Sequence, residues 1–576
     1  MRVLSVIILL CIAVSSGFAQ YNDLKSANEY LEKKGEVYFK FGVFDKAEVD
    51  RLSEIISIDN FREHTVYAYA NREEFENFLK LNYNFEILKH PGDNEGIRMS
   101  DEINEIREWD SYPTYDGYTS MMNQFGTTYP NICQIVDIGG TVQGRRLLFA
   151  KVTDSVSIRK DKPRFMYTSS MHGDEITAYV LMLRLIDTLC KGYGVNPKIT
   201  YLLNNVEIWI NPLANPDGTY HGGNNTVSGA IRNNANNKDL NRNFPDPAAG
   251  PNPGGTWQPE TIAFMNIATL FNFSLSMNFH GGAQVLNYPW DTWGRLHPDD
   301  DWFIHVSRRF VDTVHSINPN YMTDLLGYPN IPGIVNGFSW YRITGGRQDY
   351  MTYFRGSREI TNEISSTKAP AGSTLPNYWN YNFKSFLNYI QESLYGIRGI
   401  ITDSVTGLPV KAKVRVNGKE IADSTWINSD SLIGDYHRYI SNGTYTLSFS
   451  APNYITKTIS NVYVQKDSTT ILNVQLSPTS TLITEETNPV EYKLYQNYPN
   501  PFNPTTNIRY ETSKSNFVTL KIYDILGKEI STLVNEYQMP GVYEYQFDAS
   551  IFPSGIYYYK LVTNNFSETK KMILVK

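Results

Sequence analysis

The spacing of apolar positions changes character several times along the chain. Val3 to Val14 is an apolar run preceded by Arg2, and it falls short of the roughly 20 residues that span a bilayer. Glu36 to Phe41 alternates as a strand does, Lys46 to Ile56 has the spacing of an amphipathic helix, His64 to Ala70 alternates again, and Arg72 to Leu81 returns to helical spacing. From about Tyr112 to Tyr395 strand and helix signals alternate. Phe165 to Ser170 predicts a buried strand and Ile176 to Leu189 a helix, with further strands at Val206 to Ile210 and Ser274 to Phe279. That alternation predicts an α/β domain whose helices cover a mixed, largely parallel sheet. Beyond Tyr395 the pattern is short strands and turns: Ile397 to Ile401, Ala412 to Val416, Gly443 to Phe449 and Thr470 to Leu476.

These patterns predict a multidomain chain. Residues 1–19 form a signal peptide, because small residues at Ser15 to Ala19 follow the apolar run. Residues 20–105 form a small α+β unit, 106–395 the α/β domain, and 396–478 a β-sandwich. A Ser/Thr/Glu-rich linker at 479–490 leads to a second all-β, sandwich-like domain at 491–576. The charged stretch from Met99 to Asp110 is expected to be a linker and processing site. The 20–105 unit stands where a propeptide would.

Composition narrows the partners. A chain of 576 residues exceeds one compact core, and 41% hydrophobic residues suffice for several. A net charge of −7 without a Lys/Arg run offers no surface for nucleic acid. No later segment predicts a transmembrane span in the mature chain. Cys11 leaves with the signal; Cys133 and Cys190 remain, as one bridge or as two buried thiols.

Candidate chemistry begins with Met171-His172-Gly173-Asp174-Glu175, directly after a predicted strand and before a predicted helix. On such a turn His172 and Glu175 can face one metal ion. A catalytic zinc needs a third protein ligand and an open position for water. His280, at the C-terminal end of another predicted strand and followed by two glycines, supplies that candidate, since α/β active sites gather beyond the carboxyl ends of strands.

The motifs around these residues resemble the zinc metallocarboxypeptidase family, closest to its regulatory, basic-specific branch. The resemblance runs from Tyr112-Pro113-Thr114-Tyr115 through Gly139 to Arg145, Asn215-Pro216-Asp217-Gly218 and Arg232 to Pro245, to Lys368-Ala369-Pro370. It implies a hydrolase with one Zn2+ per catalytic domain on His172, Glu175 and His280, acting on the C-termini of peptides or proteins. It assigns Asn241 and Arg242 to the substrate carboxylate, Arg232 to the scissile carbonyl, Tyr341 to closure over the terminal residue, and Glu363 to the general base. Glu359 is the rival base, four positions away on the same face of a strand. A guanidinium fork suits a carboxylate, the group that defines an exopeptidase substrate.

In the regulatory branch the positions of Asp291 and Gln348 line the pocket for a basic side chain, which implies release of C-terminal Lys or Arg. Arg347 departs from the branch's usual methionine, and a guanidinium there could neutralise Asp291. Residues 396–478 are similar to the transthyretin-like domain that follows such enzymes, and His437 within them is expected to be a surface or turn histidine. Tyr495 to Thr506 resembles the sorting domain of type IX secretion, which implies that secretion machinery as a partner and a secreted or surface-attached protein of a Gram-negative bacterium. Two competing readings are a zinc amidohydrolase of the same fold acting on cell-wall stem peptides, and a non-catalytic cell-surface binding protein.

Overall fold

A computed structural model describes residues 23–94, 96–420, 425–479, 491–525, 527–550 and 552–575. The expected signal peptide, and all but the first residue of the 479–490 linker, lie outside these residues. Near the N-terminus, strands β1 (Glu36–Gly42), β2 (Ser57–Arg62), β3 (Thr65–Asn71) and β4 (Phe85–Ile87) form an antiparallel sheet in the order β2-β3-β1-β4. Helices at 23–34, Lys46–Leu52 and Arg72–Leu79 join it. Asn71 starts the last of these with a reciprocal capping box to Glu74. The apolar core of this unit is continuous with Ala283, Val285, Val335, Trp340 and Tyr341 of the next domain. It therefore sits on that domain as a lid with a shared core.

The α/β domain has eight strands: β5 (Cys133–Gly140), β6 (Arg146–Val152), β7 (Arg164–Ser169), β8 (Glu207–Asn211), β9 (Phe273–His280), β10 (Ala283–Tyr288), β11 (Ile334–Asn336) and β12 (Arg358–Ser365). Their order is β11-β10-β12-β9-β7-β8-β6-β5. The central run β12-β9-β7-β8 is parallel, and antiparallel pairings flank it. Every position of β7, β8 and β9 is buried, because helices cover both faces. Thr177–Gly192, Asp300–His315 and Leu375–Glu392 pack on one side, and Pro259–Leu270 and Arg347–Arg355 on the other. This is the mixed sheet that the alternation predicts.

Two expectations are corrected here. Met99 to Asp110 is not a free linker: Met99–Ser100 pairs with Tyr112–Pro113, Ile103–Ile106 is helical, and Ile106 and Trp109 are buried in the catalytic core. Contacts to the N-terminal unit run on through His90 and Asp93, whereas Met99 to Trp109 packs with the α/β domain. His437 lies on the strand Asp435–Arg438, buried at all four positions, with its Nε2 3.2 Å from Asp435 Oδ2. It is not a surface residue, because that strand lies where the sandwich meets the α/β domain. Charged pairs tie the two together there: Arg159–Asp435 at 2.8 Å, Arg164–Asp430 at 2.9 Å and Arg438–Asp299 at 2.8 Å.

The sandwich consists of sheets built on Gly396–Asp403 and on Lys413–Val416 with Gly443–Ser450, closed over one apolar core. Residues 491–575 form a second pair of antiparallel sheets with their own core. Cys133 and Cys190 are free, buried thiols. Among the described residues no helix is long and apolar enough to cross a membrane.

Candidate active site

Two interlocked turns build the floor of the site. After β7 the chain turns at Ser170, in the left-handed region at φ 56°, and His172 to Glu175 follow. Gly173 packs directly on Gly218, where a Cβ would lie 2.3 Å from the Gly218 carbonyl carbon. Asn215 starts the short helix Pro216–Thr219 by accepting from the Gly218 N–H, and its Nδ2 donates to the carbonyls of Arg232 at 3.3 Å and Asn233 at 3.1 Å. The Gly173 N–H donates to the Arg232 carbonyl at 3.1 Å. The Asn-Pro-Asp-Gly motif thus fixes Arg232 relative to His172.

His172, Glu175 and His280 converge. Glu175 Oε2 lies 2.8 Å from His280 Nδ1 and 3.1 Å from His172 Nδ1, and the two Nδ1 atoms are 3.0 Å apart. All three residues are buried. Metal–ligand bonds of about 2.0–2.1 Å put tetrahedral ligand atoms roughly 3.3 Å from one another, so these donors fit one face of a zinc site. His172 Nε2–H donates to Asp239 Oδ1 at 3.0 Å, which fixes the tautomer and leaves Nδ1 free to bind.

Glu363 stands on β12 in register with His280 on β9. Burial and the nearby Glu175 carboxylate push its pKa up. Glu359 faces the same way but is engaged elsewhere: it accepts from Ser276 Oγ at 2.7 Å, from Asn278 Nδ2 at 3.1 Å, and from Arg347 Nε at 3.1 Å and Nη2 at 2.9 Å. That engagement separates the two glutamates, which periodicity could not. Arg347 also donates to Thr168 Oγ1 at 2.5 Å, and its ion pair is with Glu359 rather than Asp291.

Asp291 is buried. It accepts from Asn287 Nδ2 at 3.2 Å and Gln348 Nε2 at 3.1 Å, with no ion pair among the described residues. Desolvation raises its pKa to about 7. Asp349, beside it, accepts from the N–H groups of Asp291 at 3.1 Å and Thr292 at 2.9 Å. Gly337 leaves room here, since a Cβ would lie 1.7 Å from Asp291 Oδ1.

β2 of the N-terminal unit crosses this cleft. The Ile58 carbonyl accepts from Arg242 Nη2 at 3.2 Å and from the Tyr341 hydroxyl at 3.4 Å. Asp59 pairs with Lys368 at 2.5 Å and Arg232 at 3.4 Å, while the Ser57 hydroxyl bonds Asp239. Arg232 Nη1 also reaches Glu175 Oε1 at 3.3 Å. Sequence reading assigned no part to Asp239, Lys368 or Asp59. Asp239 lies inside the Asn-rich loop, two residues before Asn241, where an acid near a histidine ligand was the available signal. Asp59 carries no local signal.

The fold and site define a hydrolase-type metal centre on an α/β sheet. Residues 118–385 match the zinc carboxypeptidase family. Carboxypeptidase M of Mus musculus is 34% identical over 375 residues, spanning 60% of this chain and 80% of its own length. Carboxypeptidase E of Caenorhabditis elegans is 31% identical over 420 residues, spanning 64% of this chain and 88% of its own. Carboxypeptidase D of Homo sapiens is 34% identical over 377 residues, but this chain covers only 26% of that longer protein. The chain belongs to the zinc carboxypeptidase family, which implies zinc at the His172–Glu175–His280 centre. Residues 496–576 match the secretion system C-terminal sorting domain.

Proposed function

We propose that this chain is an exported zinc carboxypeptidase that releases C-terminal Lys or Arg and is covered, until processed, by its N-terminal unit. The observation that carries the reading is the convergence of three ligand atoms 2.8–3.1 Å apart, with Glu363 in register beside His280. Zinc held by these residues supplies Lewis acidity for a water and a carbonyl.

The chain's own groups do the rest. Glu363 takes the proton of the attacking water and passes it to the departing amine. Arg232 offers a fixed positive charge to the developing oxyanion. Arg242, with Asn241, holds the free carboxylate, and Tyr341 closes over the terminal residue. Asp291 and Gln348 receive the basic side chain. An apolar side chain would leave the Asp291 carboxylate buried and unpaired.

The Ile58 carbonyl already occupies the donors of Arg242 and Tyr341, which supports occlusion by the N-terminal unit. The sorting domain supports export to the cell surface or medium by type IX machinery in a Gram-negative bacterium. The test is a peptide ending in Arg, incubated with the processed protein and read by mass. Loss of one residue, blocked by a chelator, is expected; internal cleavage or chelator-resistant turnover would refute the reading.

A further inference from the structure

Lys368 has no part in the reaction set out above. Its side chain is 4% exposed, and its ammonium reaches two carboxylates, Asp59 Oδ1 at 2.5 Å and Glu175 Oε1 at 3.0 Å. Glu175 is shared with both imidazoles and with Arg232, so its charge does not serve Lys368 alone. The second partner, Asp59, comes from the N-terminal unit. Its own side chain is 5% exposed, and the Tyr38 hydroxyl donates to its Oδ2 at 3.1 Å. A carboxylate buried so deeply needs matched cations, and Lys368 and Arg232 provide them.

The neighbourhood is built to admit such a group. Gly282, at φ 126°, has no side chain, and a Cβ there would meet Lys368 Cε at 3.4 Å and Asp59 Oδ1 at 3.8 Å. A cavity of about 480 Å³ adjoins the pair, with Thr367 and Ala369 in its wall. Position along the cleft matters as well. The Ile58 carbonyl sits on Arg242 and Tyr341, and the side chain of the next residue, Asp59, reaches Lys368. One residue therefore spans the distance from the chain-end clamp to this ammonium.

We propose that Lys368, assisted by Arg232, is a specificity residue that recognises an acidic side chain on the substrate residue preceding the scissile bond, and that Asp59 fills this subsite until the N-terminal unit leaves. The inference rests on the carboxypeptidase reading and extends it to the substrate's second position from the end. When the unit departs, Lys368 loses one of the two carboxylates it pairs with, keeping Glu175 and the nearby charge of Asp174, and an upstream Glu or Asp replaces it.

The test starts from the folded full-length chain cut between Lys89 and Arg98, both exposed, so that the catalytic part never has to fold alone. Peptides ending in Glu-Arg, Ala-Arg and Lys-Arg are compared by kcat/KM. Glu-Arg should exceed Ala-Arg by about ten-fold and Lys-Arg should be poorest, as a charge pair or clash in a closed site requires. In Lys368→Met the Glu-Arg to Ala-Arg ratio should fall to about one. Equal rates in the wild type, or a preference that survives Lys368→Met, would overturn the subsite, while hydrolysis of Ala-Arg would leave the carboxypeptidase reading standing. A second measurement needs no turnover. In uncut Asp59→Gly, acetate should raise Tm above an equal concentration of chloride, and adding Lys368→Met should remove that gain. No acetate effect would also overturn the proposal; a cut enzyme inactive on all three peptides would instead count against the carboxypeptidase reading.

Discussion

Arg347 and Glu359 form a closed, buried pair, two nitrogens on two oxygens at 3.1 and 2.9 Å, with side chains 1% and 0% exposed. The pair consumes the guanidinium that could have neutralised Asp291. Removing one partner leaves an uncompensated buried charge, so Glu359→Gln should destabilise the catalytic domain by about 3–5 kcal/mol in denaturant unfolding. The double apolar variant Arg347→Met/Glu359→Met should recover most of that loss. Glu359→Gln should not abolish the proposed preference for a basic terminal residue; if it did, Glu359 rather than Asp291 would be the recognising acid.

Asp291 itself predicts a pH effect. Its carboxyl ionises near pH 7 because burial disfavours the charge. The ionised fraction therefore rises with pH, and with it the attraction for an Arg side chain. Across about pH 5.5 to 8.5 the ratio of kcat/KM for Arg-ended over Leu-ended peptides should climb, since kcat/KM reports the free enzyme. Asp291→Asn should give a low ratio that does not vary with pH. A wild-type ratio that falls as pH rises would contradict the assignment.

The lid makes a separate prediction. Asp59 fastens β2 to Lys368 and Arg232. In the uncut chain Asp59→Ala should weaken the cover and raise turnover of an Arg-ended peptide by about ten-fold, for a buried ion pair of a few kcal/mol partly offset by the remaining apolar contact. Cleavage between Lys89 and Arg98 should raise it further. An uncut wild-type chain as active as the cut one would show that β2 does not obstruct the substrate.

Gly173 is a packing prediction. Its Cβ would lie 2.3 Å from a backbone carbon of Gly218, and backbone has no rotamer to yield. Gly173→Ala should cost about 1–3 kcal/mol and disturb His172 and Arg232 together. Circular dichroism melts would register the first effect and zinc content the second.

Much of this site was readable because its ligands stand at strand ends. His172 and Glu175 follow β7 and His280 ends β9, both predicted as strands, and the parallel register of β9 with β12 brings Glu363 beside His280. What sequence could not give was partnership across distance. Nothing local says that Arg347 turns to Glu359, or that Asp59 crosses to Lys368, 309 positions away. The stretch from Met99 to Asp110 misled by its charge. Ile103, Ile106 and Trp109 recur every third residue, a helical stripe that outweighs the intervening acids once Ile106 and Trp109 enter the core. Asp435 to Arg438 misled for the opposite reason, since its charges are buried against charges of the neighbouring domain.

Zinc content of the purified full-length chain after exhaustive dialysis tests the central claim most directly. One equivalent is expected in the wild type and in Glu363→Gln, and little in His280→Ala, because that substitution removes one of three donors 2.8–3.1 Å apart. A wild-type chain that retains no zinc, or a His280→Ala chain that retains a full equivalent, would mean that these side chains do not form the metal centre.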